Sequence, residues 1–469
     1  MANNLYYRPK NSSNEKESLV KKIFSVIVFA LIAICIIAPK FIAPKFQEQV
    51  TAFIDQINKT PGYIANIEST DSSWFGSKNI ISVGLDLGLY EPSLSNENIE
   101  VKFVLETQYG PLLFADQGIV GLFKTNLQIA GAEQRDLLIW DDTKPLYQLA
   151  AVSGFDGEIK FKDSIPAFTD IEKNLTFSGY NGEGKIGSDA LSYEGLLAQL
   201  SLDDSDQPVK AENITLSMQI ETDLETMMKG GFYDSKANIS METFAVGTDI
   251  SASGLAMSVE MALDEETQLG SIEVGYLAKE FAYDEYQVSD LTLMTELAKF
   301  SNQFFLDYTS FSQGLADKNY APEDFLTEQL SFFGDNLEEL FSHQPEFNIT
   351  DFSGSFPEGS FNANLTSKLD DSYIPTLEEL LIPEFWVYNA LINANIEVDD
   401  KLIRNLAERF LAKKMNTSID SPDVKQQVEL FINHFEQQGF FLHKDDQYVS
   451  EISIEGGEAY INGQFVPLI

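Results

Sequence analysis

Along much of the chain, apolar residues occupy every second position. Ile81, Val83, Leu85, Leu87 and Leu89 alternate with small or polar residues, as do Ile99, Val101, Phe103 and Leu105. Ile214, Leu216, Met218 and Ile220 repeat the pattern, followed by Leu255, Met257, Val259, Met261 and Leu263, and then by Ile272, Val274 and Tyr276. A period of two gives each strand one apolar and one polar face. Turn signals such as Gly154-Phe155-Asp156-Gly157 and Asn181-Gly182-Glu183-Gly184 separate the runs. Strands therefore dominate from about residue 60 to about residue 280. They predict an antiparallel sheet with one solvated face, not a doubly wound parallel sheet, whose strands would be apolar on both sides.

The pattern changes further on. Leu293, Leu297, Phe300, Phe304, Phe311 and Leu315 have helical spacing. Ala321-Pro322-Glu323-Asp324 opens a second helix, with Phe325, Leu330, Leu337 and Phe341 on its apolar side. Strands return at Phe347–Phe352 and Phe361–Thr366. Asp399 or Asp400 caps a helix bearing Leu402, Leu406 and Phe410, and Ser421-Pro422 opens another that ends at Gly439. Tyr448–Ile454, Gly456-Gly457, Ala459–Ile461 and Asn462-Gly463 predict a closing hairpin.

One stretch is apolar on all sides. Ile23 to Ala38 carries no charge, and sixteen residues rise about 24 Å, against a hydrocarbon core of about 30 Å. Phe41, Ile42 and Ala43 lengthen it, and Lys40 can snorkel. The expectation is one transmembrane helix over residues 22–43. A cleaved signal peptide is the alternative, but its apolar core is about 7–15 residues and is followed by a small-residue site, whose best candidate here, Ala33-Ile34-Cys35, sits inside the apolar run. The expected fold class is α+β: a single N-terminal transmembrane helix, then a large, mainly antiparallel β-sheet region, with packed helices in the C-terminal half. The expected segments are a cytoplasmic basic tail (1–21), the anchor (22–43), a β-rich exported region (44–285) and an α+β exported region (286–469).

Charge supports that topology. The 469 residues hold 73 acidic and 31 basic side chains, a net charge of −42. Residues 1–45 carry Arg8, Lys10, Lys16, Lys21, Lys22, Lys40 and Lys45 against Glu15 and Glu17, a net of +5, which leaves −47 for the remainder. Basic residues ahead of the helix place the N-terminus in the cytoplasm. So acidic a chain repels nucleic acid. A content of 44% hydrophobic and 12% aromatic residues is too rich for a disordered acidic chain. One cysteine rules out an internal disulfide framework.

The search for chemistry selects no catalytic, cofactor-binding or metal-ligating residue. His343, His434 and His443 lack metal-ligand spacing. Asp203-Asp204-Ser205-Asp206 starts like a calcium loop but lacks its glycine and terminal glutamate. Trp74-Phe75-Gly76 and Phe385-Trp386 are aromatic clusters of the kind usually found in cores.

Four features resemble the YdgA-like family of bacterial envelope proteins, whose domain is classed as of unknown function. They are the basic N-terminus with its apolar helix, the segment SSWFGSKNIISVGLDL from Ser72 to Leu87, Tyr109-Gly110-Pro111-Leu112-Leu113, and the end from Gly439-Phe440-Phe441 through Tyr448 to Tyr460-Ile461-Asn462-Gly463. The resemblance implies a Gram-negative protein in the inner membrane with its bulk in the periplasm, and it supplies no catalytic residues. Three functions follow as expectations: a non-enzymatic envelope interaction or organising role, a carrier of lipid or another apolar ligand in a β-sheet groove, and an unrecognised hydrolase. The expected partners are the membrane, envelope proteins or lipid, and no nucleic acid. Helices covering the whole apolar sheet face would exclude the carrier.

Overall fold

The computed structural model describes residues 12–87, 98–115, 118–204, 207–316, 322–370 and 374–467, with side chains of the first helix from residue 31. That helix, α1 (Ser12–Asn58), leads into β1 (Tyr63–Ser72), β2 (Gly76–Asp86) and β3 (Asn98–Tyr109). The two-stranded ribbon of β4 (Leu112–Ala115) and β5 (Gly118–Val120) forms its own small sheet, packed on the main one through Leu113 and Ala115 against Val152. Then come β6 (Phe123–Ile129), β7 (Leu138–Trp140), β8 (Tyr147–Ser153), β9 (Ile159–Ile165), β10 (Phe168–Asp170), β11 (Leu175–Phe177) and β12 (Tyr180–Ile186). The longest strands follow: β13 (Leu191–Leu202), β14 (Val209–Ile220), β15 (Ser235–Val246), β16 (Ile250–Asp264), β17 (Leu269–Tyr283) and β18 (Tyr286–Ser301), with the short α2 (Leu224–Lys229) before β15. Helices α3 (Asn302–Ala316), α4 (Pro322–Asp335) and α5 (Leu337–Phe341) precede β19 (Glu346–Phe356) and β20 (Gly359–Leu369). The chain ends with α6 (Leu377–Leu380), α7 (Pro383–Asn389), β21 (Ala390–Asp399), α8 (Asp400–Met415), α9 (Pro422–Gln437), β22 (Leu442–Lys444), β23 (Gln447–Glu455), β24 (Glu458–Ile461) and β25 (Gln464–Val466).

The main sheet is antiparallel throughout, and nearly every strand pairs with its neighbour in sequence. The path runs β1–β2–β3–β6–β8–β9, then β12 to β21 in order, then β23–β24–β25. Strands β7, β10 and β11 form a side branch that returns to β13. Local turn chemistry sets this order. Gly456-Gly457 and Asn462-Gly463 both have positive φ at the two turn positions, the type I′ geometry that matches strand twist.

A bend crosses the six strands β13 to β18 at one level, starting with the step from Leu197 to Leu200 in β13. In β14 the apolar series Ile220, Met218, Leu216, Ile214 steps by three, not two, to Ala211. The same step separates Met241 from Phe244, Ala252 from Leu255, Ala278 from Phe281 and Val288 from Leu291. Each strand therefore carries one extra residue. Because neighbours carry it at the same level, the register survives, with Glu212 still opposite Thr243 and Ile214 opposite Met241. Asn213, Gly254 and Asp290 mark the level with φ of 50°, 59° and 49°. These matched bulges bend the sheet while keeping the apolar residues on one side.

The structure corrects the expected anchor over 22–43. Among the described residues no helix is long and apolar enough to cross a membrane. The span needed Ile42 and Ala43 to reach bilayer thickness. Both instead pack, with Phe46, Val50, Ile54 and Ile57, against Ala65, Ile81, Leu105 and Tyr109 of the first strands. Helix α1 thus runs on as an amphipathic element that carries Lys40, Lys45, Glu48 and Asp55, and residues 44–58 of the expected β-rich region are helical. The transmembrane and signal-anchor readings fall with this, as does the single-pass inner-membrane placement with a cytoplasmic N-terminus and periplasmic bulk. Of the basic tail, residues 1–11 lie outside the described residues.

Leu293, Leu297 and Phe300 lie in β18, so the helix begins only at Asn302. Their spacing satisfies a helix, but pairing with β17 and β19 decides the strand. Asp399 occupies the N-cap position of α8, yet its carboxylate accepts from the Ser360 amide (2.7 Å) and the Gln447 side chain (2.9 Å), tying two strands to the helix start.

Two substitutions test the architecture. Asn58 closes α1 onto β1 by donating to and accepting from the Ala65 backbone at 2.9 and 2.7 Å. Asn58→Ala is expected to destabilise this end by about 1–3 kcal/mol, read by hydrogen exchange of β1. Gly254→Val forces a β-branched residue into positive φ and is expected to cost about 1–3 kcal/mol, read as a lower urea midpoint; an unchanged midpoint would show that the bend is not strained.

Candidate functional site

Following the pairing across the sheet identifies its apolar face residue by residue. One row reads Leu105, Leu127, Leu149, Asp163, Gly182, Gly195, Leu216, Ile239, Met257, Tyr276, Leu293, Phe352, Ala363 and Ile396. The next row on the same face includes Phe161, Tyr193, Met218, Ala237, Val259, Val274, Ile349, Leu365, Ala394, Ile452 and Ile461. At about 4.8 Å per strand the first row is some 60 Å long.

Helices cover the two ends of this face and, through α3 and α5, the rim of β17 and β18 at Gly270 and Phe300. Helix α1 lies over β1 to β3, and α8 over β20 and β21. Between these, among the described residues, the face is open at Ile239, Tyr276, Leu297, Phe347 and Phe352, which are 39–46% exposed. The whole chain exposes 29598 Å² at 52.5 kDa, where a compact protein of that mass exposes about 17,600 Å². The excess fits a sheet with little packed over most of its faces and a first helix largely exposed from Leu31 to Phe41.

At the far end the face runs under a roof. Ile396, Val398, Ile403, Phe435, Phe441, Tyr448, Ile452 and Ile461 line a cavity of about 490 Å³ between the sheet and helices α8 and α9. Its walls are almost entirely carbon. Beside it, Val424, Val428 and Ile432 anchor α9 on a fully buried stripe, and the Arg404 guanidinium bonds Asp400, Glu429 and the Tyr448 hydroxyl.

Toward the other end a single charge interrupts the apolar register. On β9, Ile159, Phe161 and Ile165 alternate with Lys160, Lys162 and Ser164, and Asp163 takes the place of an apolar residue. Tyr193 donates to both Asp163 oxygens at 3.0 and 3.2 Å, and Tyr147 donates at 3.4 Å. Tyr180 closes the group with a short hydroxyl contact to Tyr193. Glycines make room for it. A Cβ on Gly182 would lie 2.2 Å from the Tyr193 hydroxyl, and one on Gly195 would lie 1.8 Å from that of Tyr180. The Phe161 and Tyr193 rings stack at 5.9 Å. Burial, and then the Asp163 charge, push the Tyr147 phenol up to about 12. Tyr193 is raised by burial and by its bonds to Tyr180 and Asp163, and Tyr180 is raised mainly by burial.

The residues weighed from sequence lie elsewhere. His343 bonds its neighbour Ser342 on an exposed turn (2.9 Å), His434 lies against Phe435 and His443 against Tyr448. Among the described residues no group of three His, Cys, Asp or Glu side chains could hold a metal ion. Of Asp203–Asp206, residues 205 and 206 lie outside the described residues. Trp74 and Phe75 sit half-exposed at the β1–β2 turn, not in a core; the Trp74 indole donates to the Ile36 carbonyl (2.7 Å), with Lys40 over its ring. Sequence reasoning missed the Asp163 group. Its signal was there: one acid in phase with Ile159, Phe161 and Ile165.

A chain of this kind, a single-layer antiparallel sheet with one long apolar face, defines a class by architecture and not by a catalytic motif. It belongs to a bacterial protein family of unknown function, DUF945, whose family model matches residues 20–468. No curated protein and no solved structure matches it.

The tyrosine group makes a pH prediction. A phenol whose folded pKa lies above its unfolded value of about 10 stabilises fully below that pH, and the contribution is lost as pH rises toward about 12. Ultraviolet titration should show phenols ionising late. Asp163→Asn should lower the Tyr147 value only part of the way, because burial remains.

Proposed function

We propose that this protein binds or carries an apolar or amphiphilic molecule, such as a lipid, along its open sheet face. The observation that supports this most directly is the long apolar register, broken by one charge at Asp163, that stays open at Ile239, Tyr276 and Phe352 among the described residues. A soluble sheet normally covers such a face with its own helices, and a large uncovered apolar patch marks an interaction site. The length also fits. One leaflet of a bilayer core is about 15 Å deep, so the face exceeds several acyl-chain lengths. The roofed cavity near α8 and α9 falls within the range of about 300–1,000 Å³ usual for ligand sites. The role is non-enzymatic binding. The narrower kinship with YdgA-like proteins rests on the Ser72–Leu87, Tyr109–Leu113 and C-terminal segments.

The experiment uses a neutral fluorescent probe, N-phenylnaphthylamine, and native mass spectrometry of the protein after incubation with phospholipid vesicles. Saturable probe binding and extracted lipid are expected. Ile239→Glu and Tyr276→Glu, at half-exposed positions that tolerate charge, are expected to weaken probe binding at least about tenfold, since a charge on an apolar wall costs more than one such factor. Protein that neither binds probe nor takes up lipid would overturn the proposal.

A further inference from the structure

We infer that the Asp163 group is a head-group site for amphiphiles carrying an ammonium cation, a reading that rests on the apolar face being a ligand surface. Asp163 is the one charged side chain in the two rows traced above. It has two tyrosine donors and no ion-pair partner among the described residues. The nearest lysines, Lys160 and Lys162, point to the opposite face, where they pair with Glu158 and Glu183. A carboxylate accepts about four hydrogen bonds, so part of its capacity stays open. The phenols around it are donors that hold the carboxylate in place and cannot neutralise it. The stacked rings of Phe161 and Tyr193 supply the aromatic surface that favours alkylammonium groups.

The setting selects the cation. A carboxylate half-withdrawn from water on an apolar wall gains most from a ligand that brings the missing positive charge together with a chain for Leu149 beside it or for Leu216 and Met218 further along the same face. An anionic head would meet Asp163 inside a chain of net charge −42. A neutral head forfeits the ion pair.

The test is displacement of N-phenylnaphthylamine by dodecylamine, dodecanol and dodecanoate. Dodecylamine should compete at concentrations at least about tenfold below dodecanol, with dodecanoate weakest. Asp163→Asn should bring amine and alcohol within about twofold of each other, whereas Glu266→Gln, removing one charge at an exposed turn, should leave the difference intact. On the wild-type protein, the amine preference should persist in 0.5 M NaCl (about a 4 Å screening length), because a direct contact outlasts long-range screening. Equal competition by amine and alcohol, a preference that survives Asp163→Asn, or one that vanishes in salt overturns this inference while the apolar face stands. Failure of the probe itself to bind removes the face as a ligand surface.

Discussion

A sheet one layer thick over most of its length has little packed behind it, so the main-chain ladder between sequence neighbours carries the architecture. From Tyr63 to Val466 the strands are held by antiparallel pairing, mostly with the strand just before and just after. Helices add cores where they land: α1 through Phe46 and Ile54, α3 to α5 through Phe304, Leu315, Phe325 and Leu337, and α9 through Val424, Val428 and Ile432. Between these cores, stability is a sum of neighbour terms, as in a solenoid. The sheet's last edge, β25, is only three residues long, which limits pairing with other chains.

The same constraint decides where chemistry can sit. Where no second layer lies over the sheet, side chains meet mainly across strands of one face. A polar group there must find partners on adjacent strands or remain unsatisfied. Asp163 finds Tyr193 and Tyr147, and Gly182 and Gly195 supply the space. That arrangement needs four strands in one register. A slip of one residue would send Asp163 to the polar face and Lys162 to the apolar one. The matched extra residues in β13 to β18 show how strictly the register is kept: each strand changes phase, and all change together.

Much of the architecture was legible in the chain. Alternation marked the strands and the one-faced sheet, and Pro and Gly marked the ends of α9. Spacing was ambiguous where a residue type suits both elements. Leu293, Leu297 and Phe300 satisfy a helix, and β17 on one side and β19 on the other make them a strand. The apolar stretch at the N-terminus was ambiguous in the same way. Its continuation through Ile42 and Ala43 reads as a longer span, and it packs as one stripe of an amphipathic helix because Ala65 and Ile81 lie beneath it.

The sequence by itself determined the period-two faces, the antiparallel pairing, the turn positions and the acidic surface, because each follows from local spacing and charge. Only the tertiary structure decided that the apolar face stays open in its middle, that α1 spends its apolar residues on the sheet, and that Asp163 stands among three tyrosines. Those outcomes depend on which strands lie side by side over some 60 Å, and register between distant segments is a property of the assembled sheet that no single segment encodes.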